Sequence, residues 1–295
     1  MTDAFKYEQA PDTLLFDLDG TVTNFPEYAV YTNRAMMHAI FEYTGIPEAD
    51  IIRAMQRHYA ARGFESPTLL QSMEAEAFFG DFIRNETRKK ELYKRVRRAF
   101  NAAKTKRLKP YPGMPELLHT AKKQGRQVIA LTDARTLSTC SKLKSHKAQL
   151  LGRRHFSRLI AIRDAEEPLM ESRERFSKAL RRSLQIPLTE TDTEKPDTHL
   201  EELLGMSAEE IGQRVAIFGD NYSRDMALAN RFAPMRGFHA LHGVRDSERF
   251  MSQLNEIYGL SGSLPNAHIP SNYPPNIRPF DDPSELYEPL GLEKP

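Results

Sequence analysis

The stretch Leu14-Leu15-Phe16-Asp17-Leu18-Asp19-Gly20-Thr21 confines this chain more tightly than any other. Its apolar residues, Leu14 to Phe16, read as a short buried strand that the polar run after Leu18 brings to an end. Asp17 and Asp19 stand at i and i+2, so on an extended chain both carboxylates point to one side, a pleat apart. Gly20 permits a sharp turn directly after them. A buried strand that delivers two acids to one spot at its C-terminal end implies an open α/β sheet, in which that edge is the usual ligand crevice. Carboxylates so close repel each other. Both stay charged only with a cation between them, and otherwise one keeps its proton. Either arrangement serves chemistry, as a metal-bound nucleophile or as an acid/base with a raised pKa. Asp-x-Asp-Gly also opens calcium loops, but those need Gly at the sixth position and Glu at the twelfth. Here Gly20 is fourth and Tyr28 is twelfth. A plain turn after a strand is the blander alternative, and the remaining chain decides against it.

With 295 residues the chain has room for one large domain or two smaller ones. Forty per cent apolar and 28% charged residues point to a globular protein, and no apolar run approaches the roughly 18 residues of a membrane span. Met1–Ala10 shows no apolar signal segment. The single cysteine, Cys140, excludes an internal disulfide framework and fits a reducing compartment, so a cytoplasmic location is expected. Cys140 is not a Cys-x5-Arg phosphatase nucleophile either, because His146 stands where the Arg would be.

After Asn24, Pro26 and Glu27 suit a helix start, and Met36, Ile40 and Tyr43 recur at helical spacing until Gly45 and Pro47 stop it. Further helical patterns are expected over 49–62, 67–83 and 84–105, giving a helical block over 25–108. Between Arg84 and Lys109 it carries 12 Lys or Arg against two acids, Glu86 and Glu91. Such a run is most simply a solvated helix face, or else a positive surface that draws in an anionic substrate. Tyr93 and Phe100 are isolated, so the aromatic interleaving of a nucleic-acid binder is missing. A helix over Met114–Gln124 leads to a second buried strand, Gln127–Leu131, which ends in Thr132-Asp133-Ala134-Arg135. Thr132 can cap the next helix or bind a phosphate oxygen. A third strand is expected at Arg158–Ile162. Residues 165–194 read as an insertion with one helix around Arg173–Ser183. Lys195-Pro196 is expected to open the next helix. A fourth strand, Val215–Phe218, runs into Gly219-Asp220-Asn221-Tyr222-Ser223-Arg224-Asp225, and a fifth lies at Phe238–Leu241, followed by a helix to Tyr258. His239 and His242 bracket that strand and read as structural or exposed. Eight of the 19 prolines fall in 261–295, a tail expected to be extended, packed over the body or disordered.

Strands alternating with helices imply a doubly wound parallel sheet covered on both faces. All strand ends then share one edge, where Asp17, Asp19, Thr132, Asp220 and Asp225 converge. Four carboxylates without a cation would repel prohibitively. A hard divalent ion with oxygen ligands, magnesium, resolves this and shares its shell with a substrate phosphate that Thr132 and Lys195 contact.

Asp17-Leu18-Asp19-Gly20-Thr21, Thr132, Lys195-Pro196 and Gly219-Asp220 through Asp225 resemble, in order, the four motifs of the haloacid dehalogenase (HAD) superfamily, in its capped phosphatase branch. The resemblance spans roughly residues 13–245. It implies a Rossmann-like core over 1–24 and 109–258, a helical C1-type cap over 25–108, the 165–194 insertion within the core, and the tail from 259 outside the family pattern. It also implies roles. Asp17 would attack phosphorus and carry an aspartyl-phosphate, with Asp19 as general acid and base. Magnesium would be held by the Asp17 carboxylate, the Asp19 carbonyl and the Asp220 carboxylate. Asp225 would sit in or beside that shell, orienting Lys195, while Thr132 and Lys195 stabilise the transferring phosphoryl group beside Gly20 and Asp133. Asp133 stands where the family often has Asn, and Arg135 is the expected counter-charge. Asp19 argues against dehalogenation, which needs no leaving-group acid. The implied activity is hydrolysis of a small phosphorylated metabolite. A phosphotransferase or sugar-phosphate mutase shares all four motifs, and a non-catalytic binding protein on the same fold is the remaining alternative.

Overall fold

The computed structural model describes residues 10–62, 84–144, 151–164, 182, 184–259 and 268–295. The helix expected over 67–83 lies outside these residues, and that over Arg173–Ser183 almost wholly so. The chain divides into two compact units, one of residues 1–24, 109–248 and 265–295, the other of residues 25–108 and 249–264.

The first unit is built on seven strands: β1 (Thr13–Phe16), β2 (Gln127–Arg135), β3 (Arg158–Ile162), β4 (Leu188–Thr191), β5 (Val215–Gly219), β6 (Arg236–Ala240) and β7 (Ile277–Phe280). They form one sheet in the order β4-β3-β2-β1-β5-β6-β7, every pairing parallel. Its apolar residues alternate between two cores, as a strand covered on both faces requires. Leu14, Phe16, Val128, Ala130, Ala216 and Phe218 face one core with Leu117, Leu118 and Ala121 of α4 (Met114–Lys123). Leu15, Ile129, Leu131 and Ile217 face the other, with Leu200, Ile211 and Leu228 from the short helices of residues 200–231. Phe16, Phe218 and Phe238 are register partners and stack, with centroids 4.1 and 4.8 Å apart. From β1 the chain winds outward through β2, β3 and β4, then returns to β5 on the other side of β1. That reversal puts a crevice at the C-terminal ends of β1 and β5.

The sheet has two strands beyond the five expected. β4 lies at one edge and is largely half-exposed, so no buried apolar run marks it in the sequence. β7 comes from the proline-rich tail. Pro279 pairs with His239 of β6, and edge strands are where a sheet tolerates a residue lacking an N–H. The Ile277 N–H donates to the Pro274 carbonyl. Beyond β7, Leu286, Tyr287, Leu290 and Leu292 bury themselves in the first core, so residues 268–295 complete the unit.

The second unit holds α1 (Phe25–Thr44), α2 (Glu48–Arg62) and α3 (Glu86–Arg107), the insertion between β1 and β2. Ala29, Val30, Met37 and Ile40 of α1 pack with Ile51 and Met55, Leu92 and Val96, and with Phe250, Leu254 and Ile257 of the helix Leu241–Tyr258. Asn85 caps α3 by accepting from the Thr87 and Arg88 N–H groups. Lys104, Lys106 and Arg107 crowd its last turn, where the helix dipole favours cations. Arg107 pairs with Glu27 at 3.0 Å and lies 3.8 Å over the Tyr31 ring.

Candidate active site

Asp17 is the first residue past β1, and its N–H extends the ladder to the Phe218 carbonyl of β5 at 2.8 Å. Asp220 is the first residue past β5. Asp225 reaches back from a turn of π-helix, Tyr222–Met226, that Asn221 caps, and its Oδ2 accepts from the Asn221 N–H at 3.1 Å. Carboxylate oxygens of Asp17, Asp220 and Asp225 lie within 4.8 Å of one another, and all three residues are buried. Two glycines make room for them. A Cβ on Gly20, whose φ is +87°, would sit 2.2 Å from Asp220 Oδ2, and one on Gly219 would sit 2.1 Å from Asp225 Oδ2.

Lys195 enters this cluster from the side. Its Nζ donates to Asp17 Oδ1 at 2.7 Å and to Asp225 Oδ1 at 2.5 Å. It does not open a helix: α6 (Leu200–Leu204) begins five residues later, and Lys195 lies in the turn before it. Its N–H donates to Asp133 Oδ1 at 2.9 Å, which ties this turn to the end of β2. Asp133 Oδ2 accepts from Arg224 at 3.1 Å. The expected counter-charge, Arg135, instead donates to the Arg163 carbonyl, because β2 shifts register after Thr132 and carries Arg135 on beside β3. Thr132 is buried, and its Oγ1 accepts from the Ala134 N–H. Arg135 is the N-cap of the next helix, so Thr132 is not its cap.

Asp19 stands apart from the triplet. Its Oδ2 accepts from Lys142 Nζ, a lysine that is itself buried, on α5 (Thr136–Leu143). The i, i+2 spacing therefore does not put both carboxylates in one cluster. β1 ends at Phe16, and Asp19 lies in an isolated bridge with Thr23 just before the turn at Gly20, so the pleat of the sheet no longer sets its side chain.

Electrically the triplet is under-compensated. Burial pushes the Asp17 carboxyl up to about 8, opposed by Lys195 and assisted by the charges of Asp225 and Asp19. Burial also raises Asp220 well above its ordinary value, with Asp17 and Asp225 adding to it, and raises Asp225 as well. Burial alone would pull Lys195 down, but Asp17, Asp225 and Asp133 hold it above its ordinary value. One ammonium thus faces three buried carboxylates, and Asp220 Oδ2 is buried with no hydrogen-bond partner. An oxygen-only donor set, an excess of negative charge and an orphaned carboxylate oxygen fit a hard divalent cation.

A sequence model described as a haloacid dehalogenase-like hydrolase matches residues 11–232, most of the chain. The chain belongs to that family. Among solved structures, a haloacid dehalogenase-like family hydrolase from Xanthomonas campestris shares 14% identity over 96% of this chain and 91% of its own, with a TM-score of 0.51. A hydrolase from Pseudomonas syringae shares 20% identity over 95% and 97%, with a TM-score of 0.40. YfnB from Bacillus subtilis, described as a HAD-hydrolase and bound to magnesium, shares 14% identity over 96% and 100%, with a TM-score of 0.48. No curated protein matches. At this identity the Xanthomonas structure shows the HAD fold, a parallel α/β sheet with a helical insertion between β1 and β2.

Two supports of this HAD site carry no signal in the sequence, and a third, His239, is one of the histidines that read there as structural or exposed. Lys142 is the first. Gly243, in the first turn of α9 (Leu241–Tyr258), is the second: a Cβ there would sit 1.8 Å from the Gly20 carbonyl oxygen, so only glycine lets the helix lie against the turn. Beside it His242 Nε2 lies 3.0 Å from the Thr21 carbonyl. The third is His239, whose Nε2–H donates to the Asp220 carbonyl at 3.0 Å. Its Nδ1 is thereby free to accept from Tyr273 of the tail at 2.8 Å. Burial lowers the pKa of His239, in keeping with that neutral tautomer.

Proposed function

We propose that this HAD-like hydrolase is a magnesium-dependent phosphatase acting on a small phosphorylated metabolite, with the insertion between β1 and β2 as a helical C1-type cap. One observation carries the reading: three buried carboxylates converge where β1 and β5 end, with a single ammonium among them. In this reading the Asp17 and Asp220 carboxylates and the Asp19 carbonyl hold the cation, and Asp225 keeps Lys195 in place. When bound, magnesium supplies charge neutralisation for the approach of a phosphate dianion to Asp17.

Asp17 attacks phosphorus through a carboxylate oxygen while the bond to the leaving oxygen breaks, and Asp19 gives that oxygen its proton. Asp19 then takes a proton from water as the water attacks phosphorus and frees Asp17. Lys195 and Thr132 spread the charge of the transferring group, the positioning and electrostatic work that dominates phosphoryl transfer. Asp133 acts one step back, holding the Lys195 loop and Arg224.

The test is phosphate release from an aryl phosphate with magnesium and then with chelator, together with acid-quench trapping of a phosphoenzyme. Magnesium-dependent release with label on Asp17 supports the reading. Transfer to an added sugar phosphate instead of water would replace it with a phosphotransferase or mutase. Magnesium binding without turnover of any phosphate ester would overturn it in favour of a binding protein.

A further inference from the structure

The triplet explains how Asp17 is held but leaves Asp19 to other means. Asp19 lies past the end of β1, where its backbone bridges Thr23 and Gly20 turns the chain, so the pleat of the sheet does not aim its side chain. Nor is it held by Lys195, whose ammonium is taken by Asp17 and Asp225. Lys142 supplies the missing contact. It follows Thr139 and Cys140 and precedes Leu143, all fully or nearly fully buried, and its own side chain is only 7% exposed. An ammonium taken that far out of water is tolerated only when it is paired, and removing the partner of such a pair is strongly destabilising. Its direction also follows from the helix. Side chains on an α-helix lean toward the N-terminus, here back toward the β2 end where the site is assembled.

The pair treats the two carboxylate oxygens of Asp19 unequally. Oδ2 is bound to Lys142, while Oδ1 is buried without a hydrogen-bond partner. We propose that Lys142 is the positioning residue of Asp19: by fixing Oδ2 it makes Oδ1 the oxygen that gives and takes the proton during phosphoryl transfer. This rests on the phosphatase reading above. In the first step Oδ1–H passes its proton to the departing alkoxide oxygen as the phosphorus–oxygen bond breaks. In the second, Oδ1 takes a proton from the water whose oxygen bonds to phosphorus as the bond to Asp17 breaks, which restores Oδ1–H for the next turnover. Lys142 stays an ammonium throughout and touches neither substrate nor phosphorus.

A residue that acts only through the proton donor should matter only when the leaving group needs a proton. The experiment compares Lys142→Gln with the wild-type protein on an alkyl phosphate and on an aryl phosphate whose phenol is acidic, in saturating magnesium. Loss of the positioned acid is expected to cut kcat for the alkyl ester by roughly 10²-fold and for the aryl ester by less than about threefold, with KM little changed. Lys142→Arg, which keeps the charge, should recover most of the alkyl-ester rate. In an Asp19→Asn background, Lys142→Gln should cost nothing further. Equal losses on the two esters in a folded variant, or additive losses in the double variant, would overturn the proposal while leaving the phosphatase reading standing. If Lys142→Gln does not fold, the Lys142→Arg variant decides by the same two-ester ratio, and a uniform loss there overturns the proposal. A wild-type protein that released phosphate from neither ester would instead remove the phosphatase reading itself, and this inference with it.

Discussion

Two ionic groups sit side by side past the end of β1, and they differ in balance. Around Asp17, one ammonium is shared among Asp17 and Asp225, with Asp133 at 3.9 Å, while Asp220 Oδ2 finds no partner. Two residues on, Asp19 Oδ2 accepts from the buried Lys142 ammonium. A buried group with excess negative charge either keeps a proton or takes up a cation, which makes the triplet a candidate cation site. The Lys142 contact holds Asp19 Oδ2 and, among the described residues, leaves Oδ1 without a hydrogen-bond partner. The two aspartates of one sequence motif thus differ in where their cationic partners come from.

The sharpest way to break the comparison is to remove the charge at its centre. Asp17→Asn should lower phosphate release by about 10⁴-fold or more, the scale seen when a covalent nucleophile is lost. The fold should persist in circular dichroism, since the change is isosteric and relieves repulsion. Next, Asp220→Asn should weaken magnesium binding by at least roughly 10²-fold in titration calorimetry. Lys142→Gln should leave that affinity within about twofold, because its charge belongs to the other group. Equal effects of the two substitutions on magnesium affinity would dissolve the distinction.

Acidity offers a subtler separation. Asp17 has its pKa near 8 in the folded protein against an ordinary 3.8. Between those values the unfolded chain is ionised while the folded one keeps a proton, so folding binds protons and the metal-free protein loses stability as pH rises from about 4 to about 8. Asp220 and Asp225, also raised, act in the same direction. Lys195, raised above an ordinary 10.5, does not titrate in that window. The Tm in chelator should therefore fall across this range, and magnesium, which binds the ionised carboxylates, should offset the fall at its upper end. A flat Tm profile in chelator would mean the carboxylates are compensated without metal. Smallest of all, Gly243→Ala should cost roughly 1–3 kcal/mol by forcing α9 off the Gly20 carbonyl, read as a lower midpoint in denaturant.

Much of this arrangement was legible in the sequence because each strand next to the crevice is an uninterrupted apolar run. Leu14–Phe16 and Val215–Phe218 cannot be anything but buried, and a parallel sheet brings the acids that follow them to one edge. What the residues did not reveal was hidden by ordinary chemistry. Lys142 is one cation among 42, on a helix whose buried positions include two threonines and a cysteine, so no apolar stripe flags it. Asp19 looked equivalent to Asp17 because spacing alone cannot tell where a strand stops. β4 lacked a buried run, and β7 was masked by prolines that argue against a strand unless the strand lies at an edge. No local pattern marks the turn at Lys195, because Asp133, to which its N–H donates, is 62 residues away.

β7 has a consequence for how copies of this protein meet. Hydrogen bonding in a parallel pair uses alternate residues, and the Gly237 N–H donates to the Asn276 carbonyl, which turns Arg278 and Phe280 toward β6 and leaves Ile277 and Pro279 facing outward. The Ile277 donor is already spent on Pro274, and Pro279 has none. The outer rim of the sheet therefore offers a neighbouring strand no backbone donors to dock on, and growth of the sheet from one molecule into the next is blocked at that rim by two residues of the chain's own tail.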